Sequence, residues 1–155
     1  MQAVRGATMK GENMNPWYVT GFCEGEASFT FSRNGKNNIA LYFAVKLTAA
    51  DSDLVEGIRD FFGVGKIYPV KKIEAKEKCG RTKSAAYYRV SALGDLLPIV
   101  EHFDTYPLQG KKRERYELWK RALRLKIDRP EGYKDEAWKI AESLSAMSPK
   151  SLLWE

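Results

Sequence analysis

The sequence is poor in the residues that build the commonest metal and nucleophile sites of enzymes. It contains one histidine, His102, and two cysteines, Cys23 and Cys79. No Cys/His pair has the spacing of a zinc ligand set, which excludes zinc fingers, histidine-metal nucleases and Ser-His-Asp triads. A lone histidine near an apolar run favours a structural role for His102. Two cysteines in unlike contexts indicate a reducing intracellular compartment, with Cys23 as a small buried residue.

Long hydrophobic runs are also missing. No segment approaches the ~20 apolar residues of a transmembrane helix. Residues 1–6 lack the apolar centre of a secretory signal. We therefore expect an intracellular protein that does not partner a membrane.

Acidic side chains are the scarcer charge, with 20 Asp and Glu against 26 Lys and Arg, for a net charge of +6. A basic surplus favours a polyanionic partner, either nucleic acid or an acidic membrane surface.

A hydrophobic fraction of 44% is too high for a disordered protein, and 155 residues suit one domain with a real core. We expect a flexible tail over residues 1–13 and a single domain over residues 14–155.

The apolar periodicity predicts an antiparallel α+β fold in the order helix, two strands, helix, two strands, then helices. A strong turn pattern over residues 34–38 separates the first two strands. The predicted helices cover about 16–25, 52–62, 93–103, 112–127 and 131–145. The predicted strands cover about 28–33, 39–47, 65–72 and 85–91.

An antiparallel sheet can bury one face and leave the other open. The open face would carry hydroxyls, tyrosines and basic groups, which are the groups that contact phosphates and base edges. An ordinary solvated sheet face remains the alternative. The predicted DNA-binding residues of the sheet and its neighbouring basic segments are Ser28, Thr30, Ser32, Arg33, Tyr42, Lys46, Lys66, Tyr68, Lys71, Lys72, Lys83, Tyr87, Arg89 and Lys112.

The first predicted helix has an unusual end. Glu24 and Glu26 fall where the helix dipole disfavours negative charge, which stabilises no fold but suits a metal site. Gly21 and Gly25 lie four residues apart, so they share one bare face that lets another helix approach closely. The alternatives are solvated glutamates and glycines that merely tolerate packing.

The segment Val19 to Ala27, followed by Ser28-Phe29, resembles the signature helix of the LAGLIDADG homing endonucleases and fills its nine motif positions. The resemblance extends to residues 61–67, 106–108 and 111–113, and it covers roughly 15–127. It implies the family's αββαββα core, with C-terminal helices here. It also implies a site-specific double-strand DNA endonuclease that hydrolyses phosphodiester bonds in a long, palindromic or nearly palindromic target. The motif departs from the family at its ninth position, which is often Gly and is Ala27 here.

The resemblance also implies roles for single residues. Glu26, at the eighth motif position, would be the catalytic metal ligand, and the backbone carbonyl of Gly25 would be a second ligand. Lys111 matches the basic residue near the active centre, although it could be one more phosphate-positioning lysine. Glu24 would be a supporting residue. The implied cofactor is Mg²⁺, and Ca²⁺ is expected to bind without supporting cleavage.

Only one signature helix is present, and family members with one motif act as homodimers. The resemblance therefore implies two partners, double-stranded DNA and a second copy that packs on the Gly21/Gly25 face. One alternative is a non-cleaving nucleic-acid-binding protein of the same fold, either a transcription regulator or an intron RNA-splicing maturase. A membrane-surface protein is a weaker alternative, because no basic amphipathic helix carries an aromatic insertion face. The family's usual coding in introns implies a mitochondrion, a chloroplast or a microbial cytoplasm.

Overall fold

Helices and antiparallel hairpins alternate along the chain, as the periodicity predicts. The computed structural model describes residues 13–48, 51–70 and 85–147. Each predicted element is present, and the bounds that fall within the described residues agree within two residues, whereas residues 71–72 of the third predicted strand lie outside them. Most of the predicted tail, residues 1–12, lies outside the described residues. The elements are α1 (Pro16–Glu26), β1 (Ala27–Arg33), β2 (Ile39–Thr48), α2 (Ser52–Phe62), β3 (Lys66–Val70), β4 (Ala85–Val90), α3 (Leu93–Thr105), α4 (Lys112–Asp128) and α5 (Tyr133–Ala146).

Helix α1 has a defined start and an abrupt end. The Asn15 side chain caps it by accepting a hydrogen bond from the Trp17 amide at 2.8 Å, and Pro16 occupies the first turn. At the other end Ala27 is already extended, with φ −85° and ψ 156°. The chain therefore passes from Glu26 directly into β1, with no intervening loop.

The four strands form one antiparallel sheet in the order β1-β2-β4-β3. Phe29 lies opposite Phe43 in the first hairpin, and Tyr68 lies opposite Tyr87 in the second. Strands β2 and β4 join the hairpins through pairs such as Val45 and Tyr88. The two hairpins thus make one continuous surface.

The core lies between one face of this sheet and the helices. Phe29 is fully buried at its centre, and its ring centroid is 5.0 to 5.3 Å from those of Phe43, Phe103, Tyr116 and Trp119. Burial of each such side chain contributes about 1.5–3 kcal/mol. The helices α3 and α4 are held on the sheet by this cluster.

Two glycines fix the path from α2 into β3. Gly63 ends α2 in the left-handed conformation, with φ 71°. Gly65 has φ 86°, and a Cβ there would lie 2.7 Å from the Arg89 carbonyl oxygen. Only glycine suits that position, because β3 passes directly against β4. In the described part of the chain, no helix has both the length and the apolar character to cross a membrane.

Candidate functional site

Glu26 is the last residue of α1, and its side chain is exposed. Among the described residues it has no hydrogen-bond or ion-pair partner. Gly25 precedes it in the last turn, where helix carbonyls lack intrahelical partners. A carboxylate and a carbonyl oxygen are donors that suit a hard divalent cation. The described residues hold no cluster of three or more His, Cys, Asp and Glu side chains that could bind a metal. This end of α1 therefore offers part of a ligand set.

The Glu24 carboxylate, by contrast, is hydrogen-bonded to the protein. One of its carboxylate oxygens, Oε1, accepts hydrogen bonds from the amides of Gln109 at 2.5 Å and of Gly110 at 2.8 Å. A Cβ on Gly110 would lie 3.3 Å from the other oxygen, Oε2. Glu24 thus ties α1 to the loop before α4, which agrees with the supporting role expected from the sequence.

Lys111 and Lys112 have different surroundings although they are adjacent. Lys111 precedes α4, is exposed and has no partner among the described residues. The Lys112 ammonium donates to the carbonyls of Cys23 at 3.1 Å and Ala27 at 2.6 Å. Burial lowers the pKa of Lys112, and negative charge nearby, including that of Glu24, opposes this shift. The Lys112 ammonium thus caps the end of α1, and its contact with DNA stays a prediction.

The open face of the sheet carries the polar side chains that the alternation predicts. The register places Ser28, Ala44, Arg89 and Lys66 in one row across all four strands. The residues predicted for this face that the structure describes alternate with buried or half-buried ones along β1, β2 and β4, and in β3 Lys66 and Tyr68 flank the half-buried Ile67. The other members of this face are Thr30, Ser32, Tyr42, Lys46, Tyr68 and Tyr87.

Arg89 is held near the middle of this face. Its guanidinium lies 3.9 Å from the ring centroid of Tyr42, a cation–π contact. The Arg89 Nε atom is buried and has no hydrogen-bond partner within the described part of the chain. The rings of Tyr68 and Tyr87 lie 5.7 Å apart on the adjoining strands. These neighbouring aromatic and basic groups give this face an amphipathic, cationic surface.

Arg33 lies on the other side of the sheet. Strand side chains alternate with a period of two, so Arg33 shares the inward face of Phe31. Its guanidinium lies 5.4 Å from the Phe31 ring and 5.2 Å from the Trp138 ring of α5. Arg33 therefore lies off the open face, as the alternation in the sequence indicates, and its contact with DNA stays a prediction. Lys71, Lys72 and Lys83 lie outside the described residues.

The glycine face of α1 is open in this chain. Gly21 and Gly25 are exposed, and apart from α1's own backbone no atom of the described residues lies within 4 Å of a Cβ built on either one. Trp17 and Tyr18, one turn earlier, are 55% and 51% exposed. No functional role was predicted for these two aromatic residues from the sequence, although Trp17 lies four positions before Gly21 and so shares its face of the helix. An exposed helix face that combines glycines with large aromatics can accommodate a second helix closely.

The opposite side of α1 is fixed by His102. The Thr20 hydroxyl donates to the Tyr106 carbonyl at 2.9 Å, so His102 Nε2, also at 2.9 Å, must be the donor to Thr20. Burial lowers the pKa of His102 to about 4 and raises the pKa of the Cys23 thiol to about 12. Both groups are therefore neutral near pH 7. The expectation that His102 is structural and Cys23 buried is confirmed.

Comparison with known proteins agrees with this geometry. The family model described as LAGLIDADG endonuclease matches residues 19–123. An uncharacterized protein of ND4 intron 1 in Podospora anserina is 34% identical over 118 residues, which are 71% of this chain and 24% of that protein. A probable intron-encoded endonuclease 3 of Neurospora crassa is 26% identical over 72% of this chain and 20% of its own length. The chain thus spans about a quarter or less of these curated relatives.

Solved structures show the same fold. The LAGLIDADG meganuclease I-AabMI, bound to uncleaved DNA, has 33% identity and a TM-score of 0.69 over 86% of this chain and 44% of its own. I-SmaMI, bound to an uncleaved DNA target in the presence of calcium ions, has 30% identity and a TM-score of 0.67 over the same shares. The match to the family model begins at Val19 in the motif helix and runs through the sheet into α4. With its motif carboxylates at the junction of α1 and β1, this chain belongs to the LAGLIDADG endonuclease family.

Proposed function

We propose that this protein is a divalent-metal-dependent endonuclease that cleaves both strands of a specific DNA target. The observation that carries the proposal is the state of Glu26. It is exposed at the end of α1, without a hydrogen-bond or ion-pair partner among the described residues, while the other motif carboxylate is committed to a loop. Family membership and the DNA-bound structural neighbours support the same function.

Glu26 and the carbonyl of Gly25 would hold a cation such as Mg²⁺. When bound, it supplies charge neutralisation for the attacking and leaving oxygens of the phosphodiester. The described residues of one copy provide no three-residue cluster, so the remaining ligands would be water, DNA phosphate and a second copy. The exposed ammonium of Lys111 would stabilise negative charge on the scissile phosphate.

The open sheet face would be the DNA-contacting surface. An antiparallel ribbon of this kind fits a major groove. The proposed contacts come from the polar and basic members of that face, with Arg89 able to donate to a guanine or a phosphate while it stacks on Tyr42. A net charge of +6 would strengthen binding to any duplex.

Two copies would be needed to cut two strands. This chain covers 44% of the DNA-bound chain of I-AabMI, so one copy corresponds to about half of that fold. We propose a homodimer that packs through the Gly21 and Gly25 faces and brings two Glu26 side chains together. A two-fold dimer favours a palindromic or nearly palindromic target. Relatives named as intron-encoded endonucleases support action inside an organelle or a microbial cytoplasm.

The test is Glu26→Gln, which keeps the size of the side chain and removes its charge. A target is first selected by cleavage of a randomised DNA library, and supercoiled plasmid carrying it is then incubated with Mg²⁺. Cleavage by the variant should fall by several orders of magnitude, because the cation loses its carboxylate ligand. Binding should persist, since the sheet face is unchanged. Glu142→Gln, an exposed glutamate on α5, is the matched control and should cleave normally.

The wild type in Ca²⁺ should resemble the variant in Mg²⁺, with binding but no turnover. The solved complex of I-SmaMI, which holds uncleaved DNA in the presence of calcium ions, supports this expectation. Cleavage by Glu26→Gln at the wild-type rate would remove the metal assignment. A wild type that binds a duplex or an RNA but never nicks DNA in Mg²⁺ would instead identify a non-cleaving binding protein.

A further inference from the structure

The end of α1 and the start of α4 are far apart in sequence and bonded to each other in the fold. Glu24 Oε1 accepts the Gln109 and Gly110 amides, across sequence separations of 85 and 86 residues. Both bonds are charge-assisted, which makes them about twice as strong as neutral ones. They attach the loop that carries Lys111 to the last turn of α1.

A second set of bonds runs in the opposite direction. Lys112, the first residue of α4, donates from its ammonium to the carbonyls of Cys23 and Ala27. These carbonyls lie on either side of Gly25 and Glu26. Each segment thus supplies a charged side chain to the other's backbone, and the two sets of bonds cross.

The side chains of Glu26 and Lys111 take no part in these crossed hydrogen bonds. Lys111 lies between Gly110, which is bonded to Glu24, and Lys112, which is bonded to the end of α1. Glu26 directly precedes Ala27. The bonds therefore fix the backbone on both sides of Lys111 relative to the backbone beside Glu26.

We propose that Glu24 is a positioning residue that sets the placement of Lys111 relative to Glu26. The inference rests on the proposed nuclease function and adds a role for the sixth motif position. Misplacement of a reacting group by about 1 Å can cost ~10²-fold in rate. Glu24 acts through the loop, and its carboxylate is not a metal ligand in this assignment.

The geometry supplies a direct way to separate the two roles. Both amide bonds go to the same oxygen, Oε1, while Oε2 lies against Gly110. A glutamine at this position keeps one carbonyl oxygen that can accept both amides. It loses the charge that a metal ligand requires. Glutamine should therefore rescue positioning but not metal binding.

The experiment compares Glu24→Gln, Glu24→Ala and Glu26→Gln in the full chain. Single-turnover cleavage is measured across a Mg²⁺ titration, and hydrogen exchange is measured at the amides of the loop. Glu24→Gln should stay within about tenfold of the wild-type rate, and Glu24→Ala should lose ~10²-fold at saturating Mg²⁺ with an unchanged half-saturating concentration. Exchange at Gln109 and Gly110 should quicken by at least about tenfold in Glu24→Ala and by less in Glu24→Gln.

A Glu24→Gln variant as inactive as Glu26→Gln would overturn the proposal and make Glu24 a metal ligand. Wild-type exchange at Gln109 and Gly110 in Glu24→Ala would also overturn it. The failure of the proposed nuclease function is a separate result, since it would show as absent wild-type cleavage. The exchange measurement needs no activity, and it would still decide whether Glu24 anchors the loop.

Discussion

Glu24 and Glu26 are chemically identical and two positions apart, yet their carboxylates have different surroundings. The Glu24 carboxylate is held by two amides of the loop before α4. The Glu26 carboxylate is exposed and has no hydrogen-bond or ion-pair partner within the described part of the chain. Since a helix turns about 100° per residue, two positions are enough to point one side chain at the protein and the other away from it.

His102 should make stability depend on pH. Its folded pKa of about 4 lies below the ordinary value of 6.5. As the pH falls through this window, the unfolded chain takes up the proton first, so stability present above pH 6.5 is lost towards pH 4. His102→Gln keeps a donor for Thr20 but cannot titrate. Urea midpoints at pH 7.5, 6.0 and 5.0 should therefore fall more steeply in the wild type than in the variant.

All other ionisable groups are present in both proteins, so their contributions cancel in this comparison. Parallel pH curves would contradict a buried, neutral His102. The variant is also a control for the site, because the glutamine can keep the hydrogen bond that joins residue 102 to Thr20 of α1.

At the scale of elements, α1 has two faces of opposite character. Val19 and Cys23 are fully buried against the core. Gly21 and Gly25 are exposed, and Trp17 beside them packs edge-on against Tyr106, with ring centroids 5.1 Å apart. A helix buried on one side and bare on the other supports the proposal that a second copy packs there.

Gly21→Leu tests that face without disturbing the folded chain. No atom lies within 4 Å of a Cβ at this position, so leucine fits in one copy, and helix propensity improves by about 0.5–1 kcal/mol. The leucine should prevent close approach of two α1 helices. We expect a folded monomer by analytical ultracentrifugation and circular dichroism, with cleavage lost.

Gly94→Leu is the matched control, because Gly94 lies in α3 and also has no atom within 4 Å of a built Cβ. It should remain a dimer. An active Gly21→Leu dimer would contradict the proposed interface.

At the scale of the whole molecule, the lysine side chains differ in whether their charge faces solvent or binds the protein. Of the lysines predicted to contact DNA, Lys46 and Lys66 are exposed on the open face of the sheet. Lys112 instead caps the end of α1. The net charge of +6 therefore overstates the charge available to phosphates.

Lys46→Met and Lys112→Met should separate these two uses of lysine. DNA affinity is measured in Ca²⁺ at several salt concentrations. Loss of one phosphate contact should flatten the log–log slope by about one unit in Lys46→Met. Lys112→Met should keep the wild-type slope but lower the free energy of unfolding, because two backbone carbonyls lose their donor. Equal slopes in all three proteins would contradict the assignment of Lys46.

Much of the fold was predictable because its determinants are local. Periodicity and caps place the helices and strands, and Gly63 ends α2 as expected. Alternation also places the open sheet face, and the same alternation, continued to the end of β1, puts Arg33 on the inward face. Glu26 and Lys111 came from the family resemblance, and their roles remain proposals.

By itself, the sequence determined the order of elements, the two faces of the sheet and the motif carboxylates, since each depends on neighbours a few residues away. Only the tertiary structure decided that Glu24 binds the Gln109 and Gly110 amides and that Lys112 caps α1. These contacts join segments more than 80 residues apart. Their partners are set by how α4 packs across the sheet onto the end of α1, and no local pattern records that packing.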